Sequence, residues 1–303
     1  MQNDNSSNLI HLFNKLLVDE KIEANQTLSD NFEKFYLPLA NWVNEQHDST
    51  PIIIGINGAQ GSGKSTLSKI LSELLQHGFD KKVATLSIDD LYKTQQQRTE
   101  MAKSVHPLFK TRGVPGTHDI ELGISLLTQL KQQTGKTLLP VFDKALDDRK
   151  HKIDWQTVND KVDIVLFEGW CVGSVAEEEH MLTEGINELE KTEDQLMHWR
   201  QYANQQLSGD YQQLFSLIDK LIMLKIPAFE KVVEWRTLQE DKLSQTSNKK
   251  AASQTMSSTE IRHFIMHFER ITRHTLREMP QRADVVLDIN DNHQIHQLTL
   301  IST

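Results

Sequence analysis

Eight consecutive residues, Gly58-Ala59-Gln60-Gly61-Ser62-Gly63-Lys64-Ser65, satisfy the pattern G-x-x-x-x-G-K-[ST] at every fixed position. Residues of these types at this spacing can hold the phosphates of a nucleotide. The glycines let the backbone turn tightly with its N–H groups facing one concavity, and a helix starting there adds its positive end. Lys64 supplies a point charge for the β- and γ-phosphates, and the Ser65 hydroxyl suits the Mg²⁺ ion they carry. Thr66 follows directly and is grouped with the phosphate-binding residues. The same pattern can arise in an accidental glycine-rich turn. It carries chemistry when a strand precedes it and a helix follows.

Three carboxylates stand at the ends of other apolar runs. Asp89 and Asp90 follow residues 83–88, and Glu168 follows residues 162–167. Phosphoryl transfer to a hydroxyl needs a group that accepts the hydroxyl proton as attack proceeds, and a carboxylate facing the phosphate loop can do so. Asp89 is the candidate base, with Asp90 orienting substrate, metal or Asp89 itself. Helix capping is the plainer account of two aspartates here, and it explains one better than both. Glu168 is the candidate second contact to the metal or its water, set against an ordinary carboxylate in a strand-end turn.

The elements that must position these groups are legible as alternating patterns. Residues 51–57 form a short β-branched run before the glycine loop, and 66–76 form an amphipathic segment after it. Further apolar strands are predicted at 83–88, 162–167, 218–226 and 283–289, with 294–301 pairing as an edge hairpin. Helical patterns occupy 120–133, 177–207, 229–243 and 259–278. Buried strands alternating with helices predict an α/β fold, a mainly parallel sheet covered by helices on both faces. Residues 1–50 read as an N-terminal helical extension, with Leu9, Leu12, Leu16 and Leu17 at helical spacing, and 51–303 as the main domain. The extension packs on that domain or, alternatively, binds a partner. The polar stretch 244–258 reads as a loop or lid edge.

Composition narrows the partners. The chain has 303 residues, 33 Lys plus Arg and 42 Asp plus Glu, a net charge of −9. No basic tract marks a nucleic-acid path, and Lys249-Lys250 is an isolated pair that fits a solvated loop. Nucleic-acid partners are therefore not expected. No apolar run approaches the roughly 18 residues of a membrane span, and the first residues lack a secretory pattern. The single cysteine, Cys171, cannot build an internal disulfide framework, so a reducing, cytoplasmic location is expected, with Cys171 as a small structural residue rather than a catalytic thiol.

After the glycine loop, four segments occur in order: Ser87-Ile88-Asp89-Asp90-Leu91-Tyr92, Thr111–Asp119 (TRGVPGTHD), Leu139–Lys144 (LPVFDK) and Val165–Trp170 (VLFEGW). Together they resemble the D-glycerate 3-kinase family of plants and its fungal and bacterial relatives, within the phosphoribulokinase, uridine kinase and pantothenate kinase group. The likeness spans about residues 51–295. It implies a P-loop NTPase fold with lid helices, ATP and Mg²⁺ as cofactors, and a small-molecule hydroxyl acceptor.

The resemblance also implies roles at matching positions. Asp89 matches the base of the group. The Thr111–Asp119 segment looks like an acceptor loop, which makes Arg112, His118 and Asp119 substrate candidates together with Tyr92 and Asp90. Arg112 suits a carboxylate because its planar fork can engage two oxygens. Asp119 suits a hydroxyl or caps the helix beginning at Ile120, and His118 is a ligand or a packed loop histidine. Asp143, Lys144 and Arg149 occupy a second loop where relatives gather acceptor ligands, although surface charges would look the same. Arg236 matches a lid arginine that neutralises transition-state charge, or it pairs with Glu240 one turn on. The compact Ala145–Arg149 stretch departs from the longer plant sequence, which bears on whether glycerate is the acceptor. The turn 290–293 lies where relatives approach the base and also reads as an ordinary hairpin turn. Another hydroxyl acceptor of the same kinase group and a nucleotide-binding regulatory ATPase are the alternatives.

Overall fold

The central strands are near-continuous apolar runs, and because successive side chains leave on opposite faces both faces of the sheet are buried. The structure, a computed structural model, describes residues 2–19, 30–132, 135–159, 161–237 and 257–301. The strands are β1 (Ile52–Gly58), β2 (Val83–Ser87), β3 (Thr137–Leu139), β4 (Phe142–Asp143), β5 (Asp148–Arg149), β6 (Gln156–Val158), β7 (Ile164–Gly169), β8 (Lys220–Lys225), β9 (Val285–Ile289) and β10 (Ile295–Leu300). The helices are α1 (Gln2–Asp19), α2 (Leu37–Gln46), α3 (Lys64–Phe79), α4 (Gln95–Ser104), α5 (Ile120–Gln132), α6 (Glu188–Glu193), α7 (His198–Ser208), α8 (Asp210–Phe215), α9 (230–237) and α10 (Ser258–Glu278).

Six strands form one sheet in the order β10-β9-β8-β1-β7-β2. β1 lies parallel between β8 and β7, β2 is parallel to β7, and β9 is parallel to β8. β10 folds back antiparallel on β9, as the hairpin reading of 294–301 predicts. Ile52, Ile54 and Ile56 join Ile164 and Leu166 in one core with α3 residues Leu67, Ile70, Leu71 and Leu74. Ile53, Val165 and Phe167 face the other side, against Leu126, Leu127 and Leu130 of α5 and Leu214 of α8. Each fully buried side chain of this kind stabilises the fold by about 1.5–3 kcal/mol.

Leu9, Phe13 and Leu17 of α1 belong to the first of these cores, and the Phe13 ring lies 5.0 Å from that of Phe32. The N-terminal helices thus share apolar surface with α3. Residues 20–29 lie outside the described residues, as do 238–256, which include most of the expected lid edge, Lys249-Lys250 and Glu240. Ser257, just after that gap, caps α10 by accepting from Glu260 N.

One helical expectation fails. Residues 177–207 form no single helix: a loop with a 3₁₀ turn precedes α6, and α7 begins anew at His198. Local capping explains the break. Asn187 accepts from Glu190 N to start α6, and the Asp194 carboxylate accepts from Trp199 N and Arg200 N at the start of α7. The pairs β3–β6 and β4–β5, outside the main sheet, were not legible as strands. Among the described residues no helix is long and apolar enough to cross a membrane.

Candidate active site

Three parallel strands end side by side at one edge of the sheet, where open α/β sheets bind ligands. β1 runs into the glycine loop and α3, β2 into the 3₁₀ turn Ile88–Leu91, and β7 ends on Glu168-Gly169. The register sets Ser87 beside Glu168 and Asn57 beside Gly169. The sheet therefore brings together the phosphate loop, the paired aspartates and Glu168.

Gly61 and Gly63 have φ of 77° and 91°, a region that costs other residues a clash between Cβ and the backbone. Around them the amide of Gln60 and the hydroxyl of Ser62 are buried without a hydrogen-bond partner among the described residues. The Ser65 hydroxyl donates to Oε1 of Glu168 at 3.0 Å, and Oε2 of this buried carboxylate has no partner among them. Unsatisfied buried polar atoms around a loop opening a helix fit a polyphosphate, and a hydroxyl on a half-satisfied carboxylate fits its Mg²⁺. Among the described residues no group of three or more His, Cys, Asp or Glu side chains could hold a metal ion. An ion here would rely on phosphate oxygens, the usual arrangement for Mg²⁺.

The two aspartates have separate environments. Asp89 accepts from the Tyr92 hydroxyl at 2.9 Å and from Lys144 Nζ at 2.8 Å. Desolvation pushes its carboxyl up, but Lys144 and Lys64 outweigh it and hold Asp89 well below the usual carboxylate range. Asp90 instead accepts from Phe142 N at 2.9 Å, and burial raises its carboxyl to about 6. Asp90 thereby ties the Phe142–Arg149 hairpin to the end of β2. The turn itself is capped by Ser87, whose Oγ accepts from Asp89 N, and neither aspartate is needed for that.

The acceptor-side candidates divide into two groups. Lys144 sits on Asp89, and Arg112 pairs with the carboxylate of Asp147 while stacking over the Phe142 ring. The others engage one another, neighbouring backbone or aromatic groups. Asp119 accepts from Leu122 N at the start of α5 and from Arg149 Nη1 at 3.1 Å. Arg149 also donates to the carbonyls of Leu91 and Tyr92. Asp143 accepts from Ala145 N and Leu146 N. His118 is 1% exposed, stacks on Tyr92, and shares a 2.6 Å hydrogen bond with the Tyr211 hydroxyl. Burial lowers its imidazole to about 3, so it is neutral. Cys171 is fully buried, and burial pushes its thiol up, away from nucleophilic use.

Helix α9 crosses the glycine loop. A Cβ on Gly61 would lie 3.2 Å from Trp235 Cβ and 3.9 Å from Arg236 N, so the backbone at Trp235 and Arg236 lies beside the glycine loop. The Trp235 ring stacks on His293 at 4.2 Å, and a Cβ on Gly63 would stand 3.9 Å from His293 Nε2. The 290–293 segment is a hairpin turn, closed by Asn290 N donating to Gln294 O, and it also delivers this ring to the loop. His293 belongs to the 290–293 turn noted in the sequence, whereas Trp235, Arg98 and Asp147 were not singled out there. Trp235 adjoins Arg236 and was within reach of it; Arg98, in the polar run of α4, carried no signal.

A parallel sheet with a phosphate loop after β1, a buried acidic strand end and a carboxylate pair held by the 142–149 hairpin fits a P-loop kinase. Comparison with known proteins agrees. A family model described as KAP family P-loop domain matches residues 32–197. A protein of Schizosaccharomyces pombe described as an uncharacterized kinase is 32% identical, over 73% of this chain and 79% of its own length. The chloroplastic D-glycerate 3-kinase of Arabidopsis thaliana is 27% identical over 77% of this chain, which spans only 52% of that protein. The solved structure of D-glycerate 3-kinase from Cryptococcus neoformans superposes with a TM-score of 0.71 at 22% identity, covering 91% of this chain and 100% of the other, which establishes the common fold. The chain belongs to this P-loop domain family and is a P-loop small-molecule kinase, similar to the fission-yeast kinase and to D-glycerate 3-kinases.

Proposed function

We propose that the chain transfers the γ-phosphoryl group of ATP to a hydroxyl of a small carboxylate-bearing acceptor, with D-glycerate, phosphorylated at its 3-hydroxyl, as the best-specified substrate. The observation that carries this reading is the position of Asp89 in the turn that ends β2, next to the strand end bearing Glu168, where its carboxylate accepts from Lys144 and Tyr92. The loop amides and Lys64 hold the phosphates. Ser65 and Glu168 would hold Mg²⁺, which would supply positive charge to offset that of the phosphates. Asp89 takes the acceptor's proton once Lys144 withdraws, and the desolvation already present there raises its basicity as the positive neighbour leaves. Arg112 anchors the acceptor's carboxylate, and Arg236 with the lid helices excludes competing water.

One observation favours a second reading. Arg112 already faces the carboxylate of Asp147, so an acceptor without a carboxylate, such as a nucleoside or sugar derivative, would fit a pocket whose anchor is neutralised. The experiment is ADP formation from ATP with Mg²⁺ across D-glycerate, L-glycerate, pantothenate, uridine and simple sugars, with a no-acceptor control. Stimulation by D-glycerate with phosphoglycerate as product supports the first reading. Stimulation by a carboxylate-free compound alone moves the substrate and keeps the kinase chemistry.

A further inference from the structure

The Phe142–Arg149 hairpin lays two opposite charges on the acceptor side. Lys144 reaches Asp89, and three residues on Asp147 reaches Arg112. Asp147 bridges two arginines, because its Oδ2 also lies 2.9 Å from Nη2 of Arg98. We infer that Asp147 is a built-in competitor for the acceptor's carboxylate: it occupies the guanidinium of Arg112 and sets how tightly a carboxylate-bearing acceptor binds. The inference rests on reading Arg112 as the carboxylate anchor.

Arg98 makes the exchange feasible. It is 1% exposed, and its guanidinium donates to three carbonyls: Lys93 O at 3.2 Å, Lys110 O at 2.9 Å and Asp147 O at 2.6 Å. Those bonds pin the hairpin backbone and satisfy the buried cation when the Asp147 carboxylate turns away. Arg98 thus fastens together the segment after Tyr92, the start of the acceptor loop and the hairpin tip. The Asp147 side chain is 34% exposed and that of Arg112 23%, so water can take the displaced carboxylate, and a partly exposed pair of this kind is weak enough to be exchanged. A carboxylate entering on Arg112 replaces one that leaves, so the charge at the guanidinium stays balanced. The same hairpin gives up Lys144 when a hydroxyl arrives at Asp89. Both pairs are carried by one short tip.

Asp147 has φ of 54°, where Asn and Gly are tolerated and most other residues are strained. Asp147→Asn and Asp147→Gly therefore remove the competing charge with the backbone preserved, and thermal melts verify folding. The measurement is KM and kcat for D-glycerate and pantothenate, which carry carboxylates, against uridine and glycerol, which do not, together with KM for ATP. Both variants are expected to lower KM for whichever carboxylate acceptor is used by roughly three- to tenfold, with the other KM values and kcat unchanged. A purely structural Asp147 would instead raise KM for every acceptor, or leave the carboxylate acceptors unchanged, and either result overturns the inference. If the wild-type protein uses only carboxylate-free acceptors, the glycerate reading fails separately. The inference then stands only if D-glycerate, as a competitive inhibitor of that acceptor, binds Asp147→Asn more tightly than wild type.

Discussion

Lys144 holds its ammonium 2.8 Å from Oδ2 of Asp89, a residue 55 positions earlier in the chain. The contact depends on a neighbour: Asp90 binds Phe142 N and so fixes the hairpin that carries Lys144. Two adjacent carboxylates with the same parent chemistry are thereby set apart. One is kept ionised by cations, and the other is pushed toward its neutral form by burial. This separation suits Asp89 to the proposed proton transfer, while Asp90 holds the hairpin through Phe142 N.

Asp90 therefore makes stability depend on pH in a defined window. Its carboxyl is raised to about 6 in the fold, against about 4 in an unfolded chain. The folded state binds the proton more tightly, so the group's contribution is fully present below about pH 4 and is lost as pH rises through about 6. Relative to Asp90→Asn, the wild-type protein should lose on the order of 1–3 kcal/mol of unfolding free energy between pH 4 and 7. Urea unfolding of both proteins across that range measures it. A difference independent of pH would show that Asp90 does not titrate there.

Glu168→Gln keeps an oxygen to accept from Ser65 but removes the charge. The Mg²⁺ concentration for half-maximal turnover should rise by about 10- to 100-fold, the usual cost of disturbing groups around a metal. The melting-temperature increase produced by Mg²⁺ with a non-hydrolysable ATP analogue should shrink in parallel. An unchanged increase would remove Glu168 from the metal site.

Gly61→Ala tests the meeting of the glycine loop and α9. The new methyl would sit at φ 77° and 3.2 Å from Trp235 Cβ. The left-handed backbone alone costs about 1–2 kcal/mol for a residue with a Cβ, so the unfolding free energy should fall by about that much. Urea unfolding of both proteins gives the value directly. Wild-type stability would mean that the loop does not hold this conformation in the folded protein.

Much of the phosphate side could be read from the chain because each signal there is local. The glycine loop announces itself by spacing, and Glu168 and Asp89 follow from strand ends that the parallel sheet must align. The acceptor side was less legible because its geometry comes from pairings between distant residues. Arg98 looked like one more charge on a polar helix, yet it is buried and meets Asp147, 49 residues on. Asp119 and Arg149 were both candidate ligands, and nothing in their spacing showed that they bind each other. His118 was open to two readings, and its packing between Tyr92 and Tyr211 needed the third dimension. The misread helix at 177–207 showed a helical pattern but hid two local caps, Asn187 and Asp194.

The most direct test of the account is ADP formation in single-turnover mixing of protein, saturating ATP·Mg²⁺ and D-glycerate, wild type against Asp89→Asn. Loss of a positioned base should slow transfer by about 10²–10⁴-fold, with ATP-analogue binding unchanged by calorimetry. An Asp89→Asn protein that binds nucleotide normally and transfers phosphate at the wild-type rate would contradict the central claim.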